Sequence, residues 1–452
     1  MIFESAWYEY QSENMPKYVK LYYCIRREIE KGVIKPGYKL PSIRQVSKEL
    51  DLSSTTVENA YNQLMVEGYI YSIPQKGYYA SILDPLFINV AGLPAKKEMK
   101  NDKIRISDDY LDTEIFNFGE WRKIYNGIIR DYSTRLLTEG DPRGEPELRK
   151  ALADYTYRAR GIVCSPDQIV IGSGVQSLLH IFCDIAAGAV RPEVAFEEPG
   201  FVDVRPVFLK RGYKLHPINL DRNGINIKSL VDSNAAVCYT SPSHQYPTGL
   251  VMPVHKRTEL IKWADSTDGY ILEDDYDSEL RLSGRPVPSL YSLDNSRRVV
   301  YIGSFSTVIV PSLRISYMIL PDSLNEKYNN MINGYRSTVS TAEQLALAEY
   351  IVRGLYARHL RRLRKKCSDK LKLLNQIAEG FKDSLKIHFS DTGTFVLVET
   401  AGRQNKNTGK SCKACLSELW DGFYVFSYAG IKSSKYEQIL AQLVRDGGGA
   451  GE

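Results

Sequence analysis

Long apolar runs are missing from this chain of 452 residues, and with them any expectation of a membrane-spanning helix. The opening residues, Met1-Ile2-Phe3-Glu4-Ser5, have no basic stretch leading into an apolar one, so no secretory signal is expected. Cysteine is scarce and odd in number, seven in all, scattered along the chain. That spread argues against a disulfide scaffold and fits a reducing, cytoplasmic setting. Cys412 and Cys415 have C-x-x-C spacing, but zinc needs two further ligands and none stands at a suitable spacing. Lysine is absent between Lys262 and Lys327.

What is present is ordinary for a globular protein: 43% hydrophobic and 25% charged residues, in a chain long enough for about three domains. The net charge of +5 is a weak pointer to a polyanionic partner. Its distribution says more. Lys17, Lys20, Arg26, Arg27, Lys31 and Lys35 are followed by Lys39, Arg44 and Lys48, against Glu28 and Glu30 alone up to residue 48. Such a run is either a nucleic-acid footprint or a solvated helix face.

Local pattern favours the first. Val19, Tyr22, Tyr23, Ile25 and Ile29 recur at helical spacing from Tyr18 to Glu30, and Gly32 and Pro36-Gly37 end the pattern. A short second helix fits residues 42–50, with Ser42 as its cap. After a tight turn at Asp51-Leu52, a third helix runs from near Ser53 to about Glu67, with Val57, Ala60, Tyr61 and Leu64 on one face. Tyr69-Ile70-Tyr71-Ser72 and Tyr78-Tyr79-Ala80, joined by Pro74-Gln75-Lys76-Gly77, read as a hairpin. Three helices and a hairpin make a winged helix-turn-helix. Ser53, Ser54, Thr55 and Thr56 would then face base edges in the major groove of double-stranded DNA, as well as capping their helix. Arg44 and Lys76, with Lys39 and Gly77 beside them, complete the candidate DNA contacts.

Residues 81–110 lack a sustained period and carry a charged run, so a flexible tether is expected there. Beyond it, helical segments alternate with apolar strand candidates at 168–171, 194–196, 236–239, 270–272 and 299–302. Alternation of this kind predicts an α/β domain with a largely parallel sheet, whose ligands bind beyond the carboxyl ends of the strands. Gly172-Ser173-Gly174-Val175-Gln176 opens a helix there and offers backbone amides to a phosphate. Glu273-Asp274-Asp275-Tyr276-Asp277 can pair with a cationic heterocycle or a metal; no histidine is near in sequence, which favours the heterocycle. Ser304, Ser306 and Arg314 suit a phosphate. Arg358, Arg361, Arg362, Arg364, Lys365 and Lys366 form a basic helical run, read as a solvated face ahead of an extra DNA or subunit contact.

Lys35-Pro36-Gly37-Tyr38-Lys39-Leu40-Pro41-Ser42-Ile43-Arg44 and Thr55-Thr56-Val57-Glu58-Asn59-Ala60-Tyr61 resemble the GntR-type DNA-binding domain. That family usually has arginine directly after the serine opening the recognition helix; Ser54 stands there, a departure that bears on target sequence and affinity. Gly140-Asp141-Pro142-Arg143-Gly144, Glu198-Pro199-Gly200-Phe201, Pro242-Ser243-His244-Gln245-Tyr246-Pro247-Thr248-Gly249 and the 273–279 stretch resemble fold-type I aminotransferases. Together the two halves are similar to the MocR family, in which a GntR-type domain is fused to an aminotransferase-like domain. The resemblance implies a winged domain at 1–80, the tether at 81–110 and an effector-sensing domain at 111–452. It also implies a homodimer, with the winged domain of one subunit near the large domain of the other.

For pyridoxal phosphate (PLP), the resemblance implies that Asp274 pairs with the pyridinium nitrogen and Tyr276 bonds the ring hydroxyl. Gly174, Val175, Gln176, Ser304, Ser306 and Arg314 would surround the phosphate. Phe201 stands where the family has a tyrosine near the ring. Thr307 occupies the position of the lysine that forms the Schiff base, and threonine has no amine to form one. An arginine that would clamp a substrate carboxylate is not evident before Phe426-Ser427-Tyr428-Ala429; Val425 stands there instead. No catalytic residue is therefore assigned. The expected function is a transcription regulator whose large domain senses noncovalent PLP, a PLP–amine adduct or another ligand, with an amine or amino acid as effector. The alternative is an active aminotransferase that uses a lysine from elsewhere.

Overall fold

The computed structural model describes residue 7 and residues 15–82, 116–282, 287–389, 393–400, 416–420 and 423–447; for 416–420 and 446–447 it describes the backbone alone. The tether expected at 81–110 lies outside the described residues past residue 82, as does the C-x-x-C pair at 412 and 415. The chain divides into two compact units, residues 1–104 and 105–452.

In the first unit α1 (Lys17–Glu30), α2 (Ile43–Leu50) and α3 (Ser54–Val66) precede a hairpin of β1 (Ile70–Ile73) and β2 (Gly77–Ala80). The hairpin register runs from Ile70 opposite Ala80 to Ile73 opposite Gly77. Ser42 caps α2 by accepting from the Gln45 amide at 3.3 Å, as the sequence led us to expect. Asp51 takes the left-handed conformation that lets the chain turn sharply into α3. The four residues expected on the inner face of α3, Val57, Ala60, Tyr61 and Leu64, are all buried. On α1 the expected face needs correction. Tyr23 is 40% exposed, and Leu21 and Cys24 are buried beside Tyr22, Ile25 and Ile29. Aromatic residues at 22 and 23 satisfy the period equally well in sequence, and packing against α3 decides between them.

The second unit is built on α4 (Phe118–Asp131), α5 (Pro146–Arg160), α6 (Val175–Ala186), α7 (Thr341–Val352), α8 (Leu355–Ala378) and α9 (Tyr436–Gly447), with two sheets. The larger sheet contains β3 (Ile169–Gly172), β4 (Glu193–Glu198), β5 (Lys214–Asp221), β6 (Gly224–Ile225), β7 (Val237–Thr240), β8 (Tyr270–Asp275), β9 (Val299–Ser304) and β10 (Ser316–Ile319). Its order is β3-β10-β9-β8-β7-β4-β5-β6. The pairs from β9 through β8, β7 and β4 to β5 are parallel, while β10 runs antiparallel to both β3 and β9. The smaller sheet, β11 (Leu385–His388), β12 (Val396–Thr400), β13 (Leu416–Trp420) and β14 (Phe423–Phe426), is antiparallel in the order β11-β12-β14-β13.

Side-chain alternation divides the core. Ile169, Ile171, Tyr301, Tyr317 and Ile319 pack on one face with residues of α5, α7 and α8. Their neighbours Val170, Val300, Ile302 and Met318 pack on the other with α6. Both faces are covered, so the strands read in sequence as continuous apolar runs. All five strand candidates are present with shifted ends; β8 and β9 extend two to three residues further, into the chemical segments. β5, β10 and the four-stranded sheet were not anticipated.

Candidate functional site

The DNA-facing candidates sit on a locally ordered element. The Ser53 hydroxyl accepts from the Thr56 amide at 3.1 Å and shares a hydrogen bond with the Thr56 hydroxyl at 2.7 Å, so these two side chains cap α3. Ser54 and Thr55 stand exposed at the same terminus. Tyr61 donates to the Pro41 carbonyl at 2.8 Å, which ties the inner face of α3 to the start of α2. Arg44, Lys76 and Lys39 are exposed. Lys39 bridges Tyr79 of the wing, and its Cε lies 3.6 Å from where a Cβ on Gly77 would stand. Arg26 is used internally: it pairs with Glu30 at 2.8 Å and lies 5.0 Å over the Tyr69 ring. That removes one charge from the basic run.

In the larger unit, strand register brings the chemical segments together. Ser316 of β10 stands opposite Gly172 on one side and Ser304 on the other. Asp274 stands opposite Ile302, two residues before Ser304. The β3 turn, Ser304 and Asp274 thus share the carboxyl end of the sheet's strands. Gly174, with φ +97, is the N-cap of α6, and a Cβ added there would meet the Arg314 guanidinium at 2.6 Å. Only a residue without a side chain leaves room for that approach. Ser304 is buried and accepts from the Ser316 hydroxyl at 3.1 Å and from the Ser306 amide at 3.3 Å. Ser306 and Thr307 follow, half-buried. Val175 is half-buried in the first turn of α6. The exposed Gln176 side chain donates to the Asp203 carbonyl at 2.8 Å, which leaves its backbone amide as the group nearest the α6 terminus.

The acidic run does not act as one cluster. Period-2 alternation sends its members to opposite faces of β8. Glu273 accepts from the amides of Leu290 and Tyr291 at 2.8 and 3.0 Å. Asp275 pairs with Arg160 of α5 at 2.8 Å and accepts from the Tyr301 hydroxyl at 2.6 Å. Asp277 pairs with His244 at 2.7 Å. Asp274 lies on the other face, where the Tyr239 hydroxyl donates to its Oδ2. Its Oδ1 is buried and has no hydrogen-bond partner among the described residues. Burial, with Asp275 and Asp277 nearby, pushes the Asp274 carboxyl up to about 7 against the pull of the Tyr239 bond. A carboxylate so placed gains from a cationic donor at Oδ1.

Tyr276 donates to the His244 carbonyl at 3.0 Å and stacks on the His244 ring at 6.0 Å. Phe201 meets Tyr246 edge-on at 6.2 Å. Tyr239, Ser316 and His244 were missed in sequence. Tyr239 and Ser316 carry no local signal, and His244 lies in a motif whose role sequence does not state.

These residues fit a phosphorylated cationic heterocycle at both ends: an acceptor at Asp274 Oδ1, and a narrow cradle between Gly174 and Arg314. They do not supply an amine at 307.

The model for bacterial regulatory proteins of the gntR family matches residues 17–79, and that for aminotransferase class I and II matches residues 128–427. The chain is 37% identical over 392 residues to the uncharacterized HTH-type transcriptional regulator YdeL of Bacillus subtilis, covering 85% of this chain and 84% of the relative. It is 30% identical over 400 residues to the probable rhizopine catabolism regulatory protein MocR of Rhizobium meliloti, covering 84% and 81%.

The chain belongs to the MocR-type regulators.

Its larger unit has the fold-type I aminotransferase architecture of that family. It is similar to a multiple substrate aminotransferase from Thermococcus profundus, with a TM-score of 0.67 at 20% identity over 77% of this chain and 92% of that one. In this MocR-type chain the winged domain carries the DNA-binding character of the family. Among the described residues, no helix is long and apolar enough to cross a membrane.

Proposed function

We propose that this chain is a transcription regulator whose aminotransferase-like domain binds a PLP-type ligand noncovalently and uses it to sense a small amine, without working as a transaminase. One contrast carries the reading. Asp274 Oδ1, buried without a partner among the described residues, and Arg314 against Gly174 support a charged ring with a phosphate, while residue 307 is a threonine. PLP, when bound, supplies an aldehyde that condenses with amines.

The chain's own residues hold and orient. Asp274 favours a protonated ring nitrogen. Arg314, Ser304, Ser306 and the amides of Gly174, Val175 and Gln176 meet the phosphate. Phe201 offers an aromatic face, and Tyr276 exchanges its bond to the His244 carbonyl for one to the ring hydroxyl. A lysine would also move protons during transamination, help worth roughly a hundredfold or more, and Thr307 cannot provide it.

On the DNA side, Ser53, Ser54, Thr55 and Thr56 lie toward base edges, and Lys39, Arg44, Lys76 and the Gly77 backbone meet the phosphodiester chain. The working form is a cytoplasmic homodimer. Ligand control then follows if the ligand has different affinities for two arrangements of the molecule.

The test is fluorescence anisotropy on a duplex selected by the protein from a random pool. Binding should weaken steeply with salt, Arg44→Ala should weaken it further, and PLP with an amine should shift the affinity. DNA retention that ignores salt, or affinity unmoved by PLP and every amine tried, contradicts the proposal.

A further inference from the structure

Tyr276 packs against a cluster of side chains from the four-stranded sheet. Val425 of β14 is 2% exposed and stands opposite Leu397 of β12. Both pack with Phe395, and Tyr246, Tyr276 and Phe423 close around them. The Tyr246 ring lies edge-on to Phe395 at 5.3 Å, to Tyr276 at 6.5 Å and to Phe201 at 6.2 Å. This apolar cluster is therefore continuous with the two residues proposed to flank the ring, Phe201 and Tyr276.

The buried charges behind it are mainly acids. Asp274, Asp275, Asp277 and Glu197 are each at most 4% exposed. Burial, then the Asp277 and Asp274 carboxylates, hold the Tyr276 phenol well above its ordinary range. Among the described residues, Arg160 and His244 are committed to these acids. Arg160 pairs with Asp275 at 2.8 Å, and its other nitrogens donate to Ser243 and to the Val287 carbonyl, both at 2.6 Å. His244 is held by Asp277 at 2.7 Å.

A carboxylate brought here loses water, and among the described residues Arg160 and His244 are already paired with Asp275 and Asp277 and are not spare to receive it. An apolar group gains by burial, and an ammonium gains from the aromatic faces.

We infer that the ligand sensed by this domain is an amine bearing an apolar or aromatic substituent and no carboxylate, rather than an α-amino acid. The inference rests on the proposed reading that a phosphopyridoxyl ring occupies the site between Asp274 and Arg314.

The test uses the full chain, isothermal titration calorimetry and three probes: pyridoxamine 5′-phosphate and the reduced phosphopyridoxyl conjugates of phenethylamine and of phenylalanine. The two conjugates differ by one carboxylate. The phenethylamine conjugate should bind about tenfold or more tightly than its carboxylate twin. Val425→Arg should narrow or reverse that ratio. If this variant does not fold, the ratio in the unaltered chain decides alone. The isopentylamine and leucine conjugates repeat the comparison with a smaller group.

A carboxylate conjugate that binds as tightly as its amine twin overturns the inference. So does failure of both amine conjugates where pyridoxamine phosphate binds; in either case the proposed reading survives. If none of the probes binds, the reading and the inference fall together.

Discussion

Asp274 is the residue on which the site turns, because it is an acid buried with one oxygen left over. Its folded-state carboxyl sits at about 7, against 3.8 for an ordinary aspartate. The folded chain thus holds this proton more tightly than the unfolded chain does. The stability it contributes is complete below about pH 4 and is lost as pH rises toward 7. Asparagine cannot ionise, so Asp274→Asn should gain in melting temperature relative to the unaltered, ligand-free protein between pH 5 and pH 8. A difference in melting temperature that is flat or falls across that range contradicts the assignment. At this scale the sequence was partly readable. The acidic run after a buried strand pointed to Asp274, but it did not reveal that Glu273 and Asp275 face away to hold amides and Arg160. Alternation along β8 contains that information once the strand is known to continue to Asp275. Tyr239 could not be found this way. A tyrosine inside an apolar strand signals nothing until pairing sets it beside Asp274.

Among the elements, α3 was the most legible, since its cap, inner face and entry turn are all local. Ser53 caps it through the Thr56 amide. Ser53→Ala should destabilise the winged domain by about 0.5–2 kcal/mol, read as a lower first transition in thermal melts of the full chain. An unchanged transition would mean that the cap carries no weight. The first helix was legible in position and, at Tyr22, Ile25 and Ile29, in phase; Tyr23 departs, since neighbouring aromatics satisfy one period and only packing selects between them. The parallel strands β4, β7, β8 and β9 were legible because both faces are buried. β10 was not, since its four residues acquire meaning by running antiparallel between β9 and β3, the latter far away in sequence. In the sheet of β11 to β14, the pairing of β12 with β14 likewise joins segments apart in sequence. The basic run on α8 divides: Arg358, Arg361, Arg362 and Lys365 are exposed, whereas Arg364 donates to the Glu279 carbonyl at 2.6 Å.

At the scale of the whole molecule, a DNA-binding unit and an aminotransferase-like unit share one chain, and the account gives the second a sensing role without covalent chemistry. That claim is tested most directly by mass spectrometry of the purified protein loaded with PLP and treated with borohydride. Native spectra should show the ligand bound. Denaturing spectra of the same sample should show the bare chain, because no lysine holds the ligand covalently. A ligand mass that survives denaturation, mapped to one specific lysine, would show a working Schiff-base site and contradict the account.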